Sequence, residues 1–183
     1  SNWKNYYLLL SRVYIGKKDN VLEVGAGIGT LTKLFLENLI VENWTALEPD
    51  KYNFSQLKKI SVQLEKSTKF EIINSSIEDY LETNKKYSII IIADVLEHIK
   101  EDKKILLKLT KILNKSGKII IFVPANMLLY SKFDNRIGHH RRYSRKQLIK
   151  IIPKHMKIHD LKFIDSIGFF ASLLNRFLIK SAD

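Results

Sequence analysis

The sequence predicts a doubly wound α/β domain with a mainly parallel sheet. Segments of strand and helix character alternate five times along the 183 residues. Tyr87 to Ile92 is a near-continuous isoleucine run, as in strands covered on both faces. The first strand runs straight into Gly25, Gly27 and Gly29 before a helix begins, the turn that such sheets use beside a ligand.

Trp3 to Tyr14 mixes aromatic and aliphatic side chains and reads as a helix, and Gly16 to Asp19 as a turn. Asn20 to Val24 is the first strand. Leu31, Leu34, Phe35 and Leu39 then recur at helical spacing. Trp44 to Glu48 is the second strand, closed by Pro49, with a helix around Phe54 to Ile60. Phe70 to Ile73 is the third strand and Tyr87 to Ile92 the fourth. A helix over Ile105 to Leu113 stops at the turn Asn114 to Gly117, and Lys118 to Val123 is the fifth strand. Ser144 and Gln147 form a capping box for a helix through Ile152, which Pro153 ends. Ile158 to Ile164 is expected as a sixth strand, and no seventh is evident, so the C-terminal strand pair reads as incomplete; whether the chain continues beyond Asp183 is not legible.

Residues 1 to 183 read as one domain, long enough to bury a core. There is no cysteine, so disulfides, thiolate metal sites and cysteine nucleophiles are excluded; no metal site is expected. No apolar run approaches the ~18 residues of a membrane span, and the first residues lack a signal-peptide pattern, so a cytoplasmic location is expected. The net charge of +12 invites a nucleic-acid reading, but the lysines are scattered and form no single stripe. Phe170, Leu173, Leu174, Phe177 and Leu178 share helical spacing, which suits core packing or peripheral contact with a membrane.

Ligands in such sheets sit beyond the carboxyl ends of the strands. The segment Glu23-Val24-Gly25-Ala26-Gly27-Ile28-Gly29-Thr30 offers a close backbone approach and a helix N-terminus. It is not the dinucleotide fingerprint, because the third glycine comes one residue early, and Gly-Lys-Ser/Thr is absent. Glu48 ends the second strand about twenty residues on, where a carboxylate can accept ribose hydroxyls.

Val21 to Thr30 resembles the first motif of the class I S-adenosylmethionine-dependent methyltransferases, and Leu47-Glu48-Pro49-Asp50 resembles their acidic second motif. Asn74 to Asp79 resembles the segment that edges the adenine, and Ala93 to Ile99 the motif after the fourth strand. The resemblance runs from about Asn5 to Gly168. It implies a Rossmann-like fold and S-adenosylmethionine as cofactor, with S-adenosylhomocysteine as product. It also implies a cofactor site of Glu23, Gly25, Ala26, Gly27 and Gly29 with Glu48, Pro49, Ser76, Ile77 and Asp94. Asp79 would lie near the adenine and Asp94 near the methionine amine.

Val123-Pro124-Ala125, Leu129-Tyr130, Asp134 and Gly138 to Ser144 resemble a bacterial subgroup associated with glycan and cell-envelope pathways, which implies a glycan or lipid-linked acceptor. This stretch follows the fifth strand and is expected to cover the pocket. Arg141 and Arg142 suit a phosphate or carboxylate, and His139 and His140 a proton relay; Asp134 and Tyr143 belong to the same loop. A salt-bridge cluster that merely holds the loop is an equal alternative. His98 is the candidate general base for a hydroxyl acceptor, or else packs the pocket wall. The motif of base N-methylating enzymes, Asn/Asp-Pro-Pro-Tyr/Phe, is replaced by Ala93-Asp94-Val95-Leu96. The leading reading is therefore methyl transfer to a small-molecule, glycan or lipid-linked acceptor. An RNA methyltransferase and a non-catalytic cofactor-binding domain remain as alternatives, and oligomeric state is not legible.

Overall fold

The computed structural model describes residues 2–62, 64, 68–82 and 84–164. Five parallel strands form one sheet in the order β3-β2-β1-β4-β5. They are β1 (Asn20–Val24), β2 (Asn43–Leu47), β3 (Lys69–Ile73), β4 (Tyr87–Ala93) and β5 (Leu113–Phe122). Around them lie α1 (Asn2–Ser11), α2 (Thr30–Asn38), α3 (Lys51–Ser61), α4 (Ile77–Tyr80), α5 (Asp102–Leu109), α6 (Lys132–Arg136) and α7 (Arg145–Ile151).

Side-chain alternation along the strands divides the core into two layers. Leu22, Val24, Ile90 and Ile92 face Leu96, Ile105, Leu106 and Leu109. Val21, Ile89 and Ile91 face the opposite way, toward Leu31, Phe35 and Leu57 with Tyr7 of α1. β4 is therefore buried on both sides, which is why its sequence is an unbroken isoleucine run. The strand order reverses between β1 and β4, so the crevice for a ligand opens beyond Val24 and Ala93.

The five strands and the helices expected between them form, some with displaced ends. The helix expected over Ile105 to Leu113 is α5, which starts at Asp102 and ends at Leu109. Leu113 is instead a strand residue, paired with Tyr87. The expected turn at Asn114 to Gly117 is an irregularity inside β5, because the next aligned pair is Ile89 with Lys118. The capping box at Ser144 and Gln147 is present, and α7 stops one residue early because Ile152 precedes Pro153 and takes an extended backbone.

The sixth strand is a correction. Residues Ile158 to Ile164 make no strand, because no edge among the described residues pairs with them. The apolar segment from Phe170 to Leu178 lies outside the described residues. Among the described residues, no helix is long and apolar enough to cross a membrane.

Candidate active site

A pocket of about 360 Å³ opens at the switch point, with Gly25, Ala26 and Gly27 on one side, Ala93 and Asp94 on another, and Glu23 at its base. Gly25 and Gly27 both have left-handed backbone, with φ of 69° and 59°. Their surroundings differ. A Cβ on Gly25 would run into the Val95 side chain, whereas one on Gly27 would meet nothing within 4 Å. Gly25 thus lets the loop close onto the turn after β4, and Gly27 presents bare backbone to the pocket.

Glu48 holds the loop from behind. Its Oε2 accepts the Gly27 N–H at 2.6 Å, and its Oε1 accepts the Asp50 N–H at 2.9 Å. It is buried and does not line the pocket. Asn74 ties the ends of β2 and β3 together by donating to the Glu48 and Pro49 carbonyls.

Glu23 is a pocket residue anchored in the core. Its Oε2 accepts from Thr32 Oγ1 at 2.7 Å and from Trp44 Nε1 at 2.9 Å. Burial pushes its carboxyl up to about 7, against the two donors. Because the folded value lies above the unfolded one of about 4.3, Glu23 contributes most to stability below pH ~4, and that contribution fades as pH rises through about 7. Glu23→Gln keeps both donors satisfied. In urea titrations between pH 5 and 8 it is expected to remove a downward slope worth on the order of 3 kcal/mol at most. Parallel pH profiles for the two proteins would refute this.

Asp94 has left-handed backbone without being glycine, at φ 55°, a strain that functional positions retain. It accepts the Tyr7 hydroxyl at 3.1 Å, and Tyr7 in turn stacks on Phe122 with ring centroids 3.8 Å apart. Burial raises the Asp94 carboxyl from its ordinary value. Lys4 and Tyr7 of α1 and Asn53 of α3 also line the pocket, and sequence reasoning missed all three. Tyr7 carries a weak signal, as a polar-tipped aromatic on the buried side of the first helix.

Of the expected cofactor residues, Glu23, Gly25, Ala26, Gly27 and Asp94 come together on the pocket wall. Gly29, Glu48, Pro49, Ser76 and Ile77 do not line it. Gly29 packs against Leu57, and Pro49 is exposed. Ser76 caps α4, accepting the Asp79 N–H and donating to the Asp79 carboxylate. The Ile77 side chain is core, packed in the same layer as Leu22 and Leu47.

The segment after β5 folds back beside the pocket turn rather than lying open above it. The Tyr143 N–H donates to the Pro124 carbonyl, and the His140 N–H to the Glu97 carbonyl. Asp134, wholly buried, is its hub. It accepts Arg142 Nε at 2.8 Å, Arg142 Nη2 at 3.2 Å and His139 Nδ1 at 2.9 Å, and it caps α6 through Ser131. Burial alone would raise this carboxyl; the Arg142 and His139 hydrogen bonds outweigh it and hold it down to about 2. A second anchor is Asp102, whose Oδ2 accepts Arg141 Nη1 at 2.6 Å and the Tyr143 hydroxyl at 2.8 Å.

These contacts place the expected acceptor residues Asp134, His139, Arg141 and Arg142 in salt bridges that hold the loop. Tyr143 is a core residue at 4% exposure, and Asp134, Arg141 and Arg142 already have protein partners. The salt-bridge alternative is what the geometry displays. His98, the candidate base, is exposed at the end of a 3-10 turn, with Nδ1 3.1 Å from the Gly138 carbonyl, and does not line the pocket. Burial, with the His139 charge adding, lowers its pKa.

Comparison with known proteins agrees with this architecture. Residues 4–166 match the family described as a methyltransferase domain. The chain is 30% identical over 162 residues to the ubiquinone biosynthesis O-methyltransferase of Vibrio atlanticus (strain LGP32), covering 87% of this chain and 62% of that protein. Among solved structures, it is similar to magnesium protoporphyrin IX methyltransferase from Synechocystis PCC 6803, with TM-score 0.62, 14% identity, and 82% of this chain and 69% of that one covered. A coclaurine N-methyltransferase bound to N-methylheliamine and S-adenosylhomocysteine superposes with TM-score 0.57 and 21% identity, over 65% of this chain and 36% of that one. The chain thus spans less than two thirds of the length of the Vibrio protein and about a third of the coclaurine enzyme. With the five-stranded parallel sheet, the glycine loop and a family match over most of its length, the chain belongs to the class I S-adenosylmethionine-dependent methyltransferase family.

Proposed function

We propose that this chain transfers a methyl group from S-adenosylmethionine to a small-molecule acceptor. The observation that carries the reading is the pocket at the β1/β4 switch point, where Gly27 offers bare backbone to open space and Glu48 holds that backbone from behind. The residues fit the cofactor: a Cβ at Gly27 would enter the space it needs, and Asp94 supplies a carboxylate at the far wall for an ammonium group. When bound, S-adenosylmethionine supplies a methyl carbon on a positively charged sulfonium with a good leaving group. Gly25, Ala26 and Gly27 would hold the methionine end, and Glu48, buried behind the loop, would act by fixing the Gly27 backbone that faces the cofactor. Tyr7 fixes Asp94 in place through its hydroxyl. The protein then mainly aligns acceptor and methyl carbon, which is worth up to about 7–11 kcal/mol of barrier.

The relative's O-methyltransferase name supports a hydroxyl acceptor. The association of the Gly138 to Ser144 motif with glycan and cell-envelope pathways adds glycans and lipid-linked sugars to the acceptors worth assaying.

Calorimetry with S-adenosylmethionine tests the reading. Wild type is expected to bind, without competition from nicotinamide dinucleotides. Glu48→Ala is expected to weaken binding roughly ten- to a hundredfold, the value of charge-assisted hydrogen bonds at about 1.5–3 kcal/mol. Unchanged affinity in a folded Glu48→Ala protein would remove Glu48 from the site. Strongly salt-dependent RNA binding would favour the RNA methyltransferase alternative, and cofactor binding with no methylated product from any acceptor would favour a non-catalytic domain.

A further inference from the structure

No metal site was expected from the sequence, yet the fold brings Glu97, His98 and His139 together with one potential ligand atom from each, all within 4.8 Å of one another. Glu97 is the unusual member. It is wholly buried, and neither carboxylate oxygen has a hydrogen-bond partner. Leaving a buried carboxylate without donors is costly, and such a group is relieved either by a proton or by a counter-charge. Its neighbour is His139 Nε2, 3.6 Å from Oε1. That is too long for a hydrogen bond, but close to the spacing of about 3.3 Å between two ligands of a tetrahedral ion with bonds of about 2.0–2.1 Å.

The imidazoles are prepared for the same task. His139 Nδ1 donates to the ionised Asp134 carboxylate at 2.9 Å, which leaves the lone pair on Nε2, the atom facing Glu97. His98 Nδ1 lies 3.1 Å from the Gly138 carbonyl, which can only accept, so the His98 lone pair also falls on Nε2. Metal-binding histidines are oriented in this way, by an acceptor on the other ring nitrogen. Asp94 and Asp134 add negative charge around Glu97 that Arg142 only partly offsets.

We propose that Glu97, His98 and His139 bind a divalent transition-metal ion of the zinc type, with Asp134 and the Gly138 carbonyl orienting the two imidazoles. Two imidazoles and one carboxylate make a ligand set that suits zinc and leaves a coordination position open. The ion joins the turn after β4, which carries Glu97 and His98, to the segment after β5, which carries His139. Glu97 and His98 follow Asp94, a residue of the pocket wall, by three and four positions, but do not themselves line the pocket. Ion binding does not rest on the methyltransferase reading.

The test uses the full chain, stripped with a chelator and titrated with zinc chloride by calorimetry, with cobalt(II) as a visible-absorption probe of coordination number. One equivalent of zinc is expected to bind, and cobalt is expected to give the strong visible bands of a low-coordinate site. Glu97→Gln, which preserves shape, and His139→Ala are each expected to cut zinc affinity roughly tenfold or more. His155→Ala, outside the cluster, is expected to bind as wild type does. Absence of stoichiometric binding, or equal binding by wild type and folded Glu97→Gln, would overturn the proposal; so would loss of the site in His155→Ala. S-adenosylmethionine titrations of the same samples separate the two readings. A chain that binds zinc and not the cofactor keeps the metal site and loses the proposed function, and the reverse result does the opposite.

Discussion

Gly27→Val is expected to abolish measurable S-adenosylmethionine binding while the sheet stays folded. Two effects act together. Gly27 has φ 59°, where a β-branched residue is strained by roughly 1–3 kcal/mol. Its side-chain direction also points into open space, so the new methyl groups would occupy the pocket rather than clash with protein. Relief of the strain would move the Gly27 N–H off Glu48, now 2.6 Å away, and so disturb the loop that shapes the site. Calorimetry gives the affinity, and far-ultraviolet circular dichroism reports the fold. Gly25→Val is the contrast, since its side chain would meet Val95 and should damage folding as well. Cofactor affinity near wild type in Gly27→Val would show that the loop faces elsewhere.

Asp134→Ala is expected to be among the most destabilising single changes in the chain. Removing one partner of a buried ion pair typically costs about 3–5 kcal/mol, because the other charge is left without compensation. Here the change orphans Arg142, releases His139 Nδ1 and removes the α6 capping box together. For a domain of this size the melting temperature should fall by roughly 10 °C in differential scanning calorimetry. The pH dependence has a definite sign. The folded Asp134 carboxyl is held down to about 2, below its unfolded value of about 3.9. Its contribution is therefore complete above pH ~4 and is lost as pH falls toward 2, and Asp134→Ala should flatten that acid limb. A melting temperature within a degree or two of wild type would mean that the cluster is not structural, and would return Arg142 to the acceptor side.

Much of the fold was legible because its signals act over a few residues. Hydrophobic period, the isoleucine run and the glycine turn placed β1 to β4 within one residue at either end, and β5 at its C-terminal end. The Ser144 and Gln147 capping box was readable because both partners lie in one helical turn. The errors came where a distant partner decides. Leu113 looks like the end of a helix, yet it becomes strand because β4 offers Tyr87 beside it. Ile158 to Ile164 carries four apolar residues in seven, yet no edge among the described residues pairs with it, and a strand without a neighbour leaves its backbone groups unsatisfied.

The candidate site divides in the same way. The glycine loop and Asp94 follow directly from sequence, because the residue after a strand in a parallel sheet lies at the carboxyl edge whatever else the chain does. Which charge meets which was not legible. Arg141 and Arg142 look alike in sequence, but one is taken by Asp102 and the other by Asp134. Tyr7 reaches Asp94 from 87 positions away, and Glu97 meets His139 across a loop. Sequence alone determined the sheet and the loop that faces the pocket, since those rest on local backbone geometry and the burial period, and its motifs carried the resemblance to the family. The tertiary structure alone decided the pairing of the buried charges. A buried charge takes whichever counter-charge the packed elements bring within reach, and spacing along the chain carries no record of that choice.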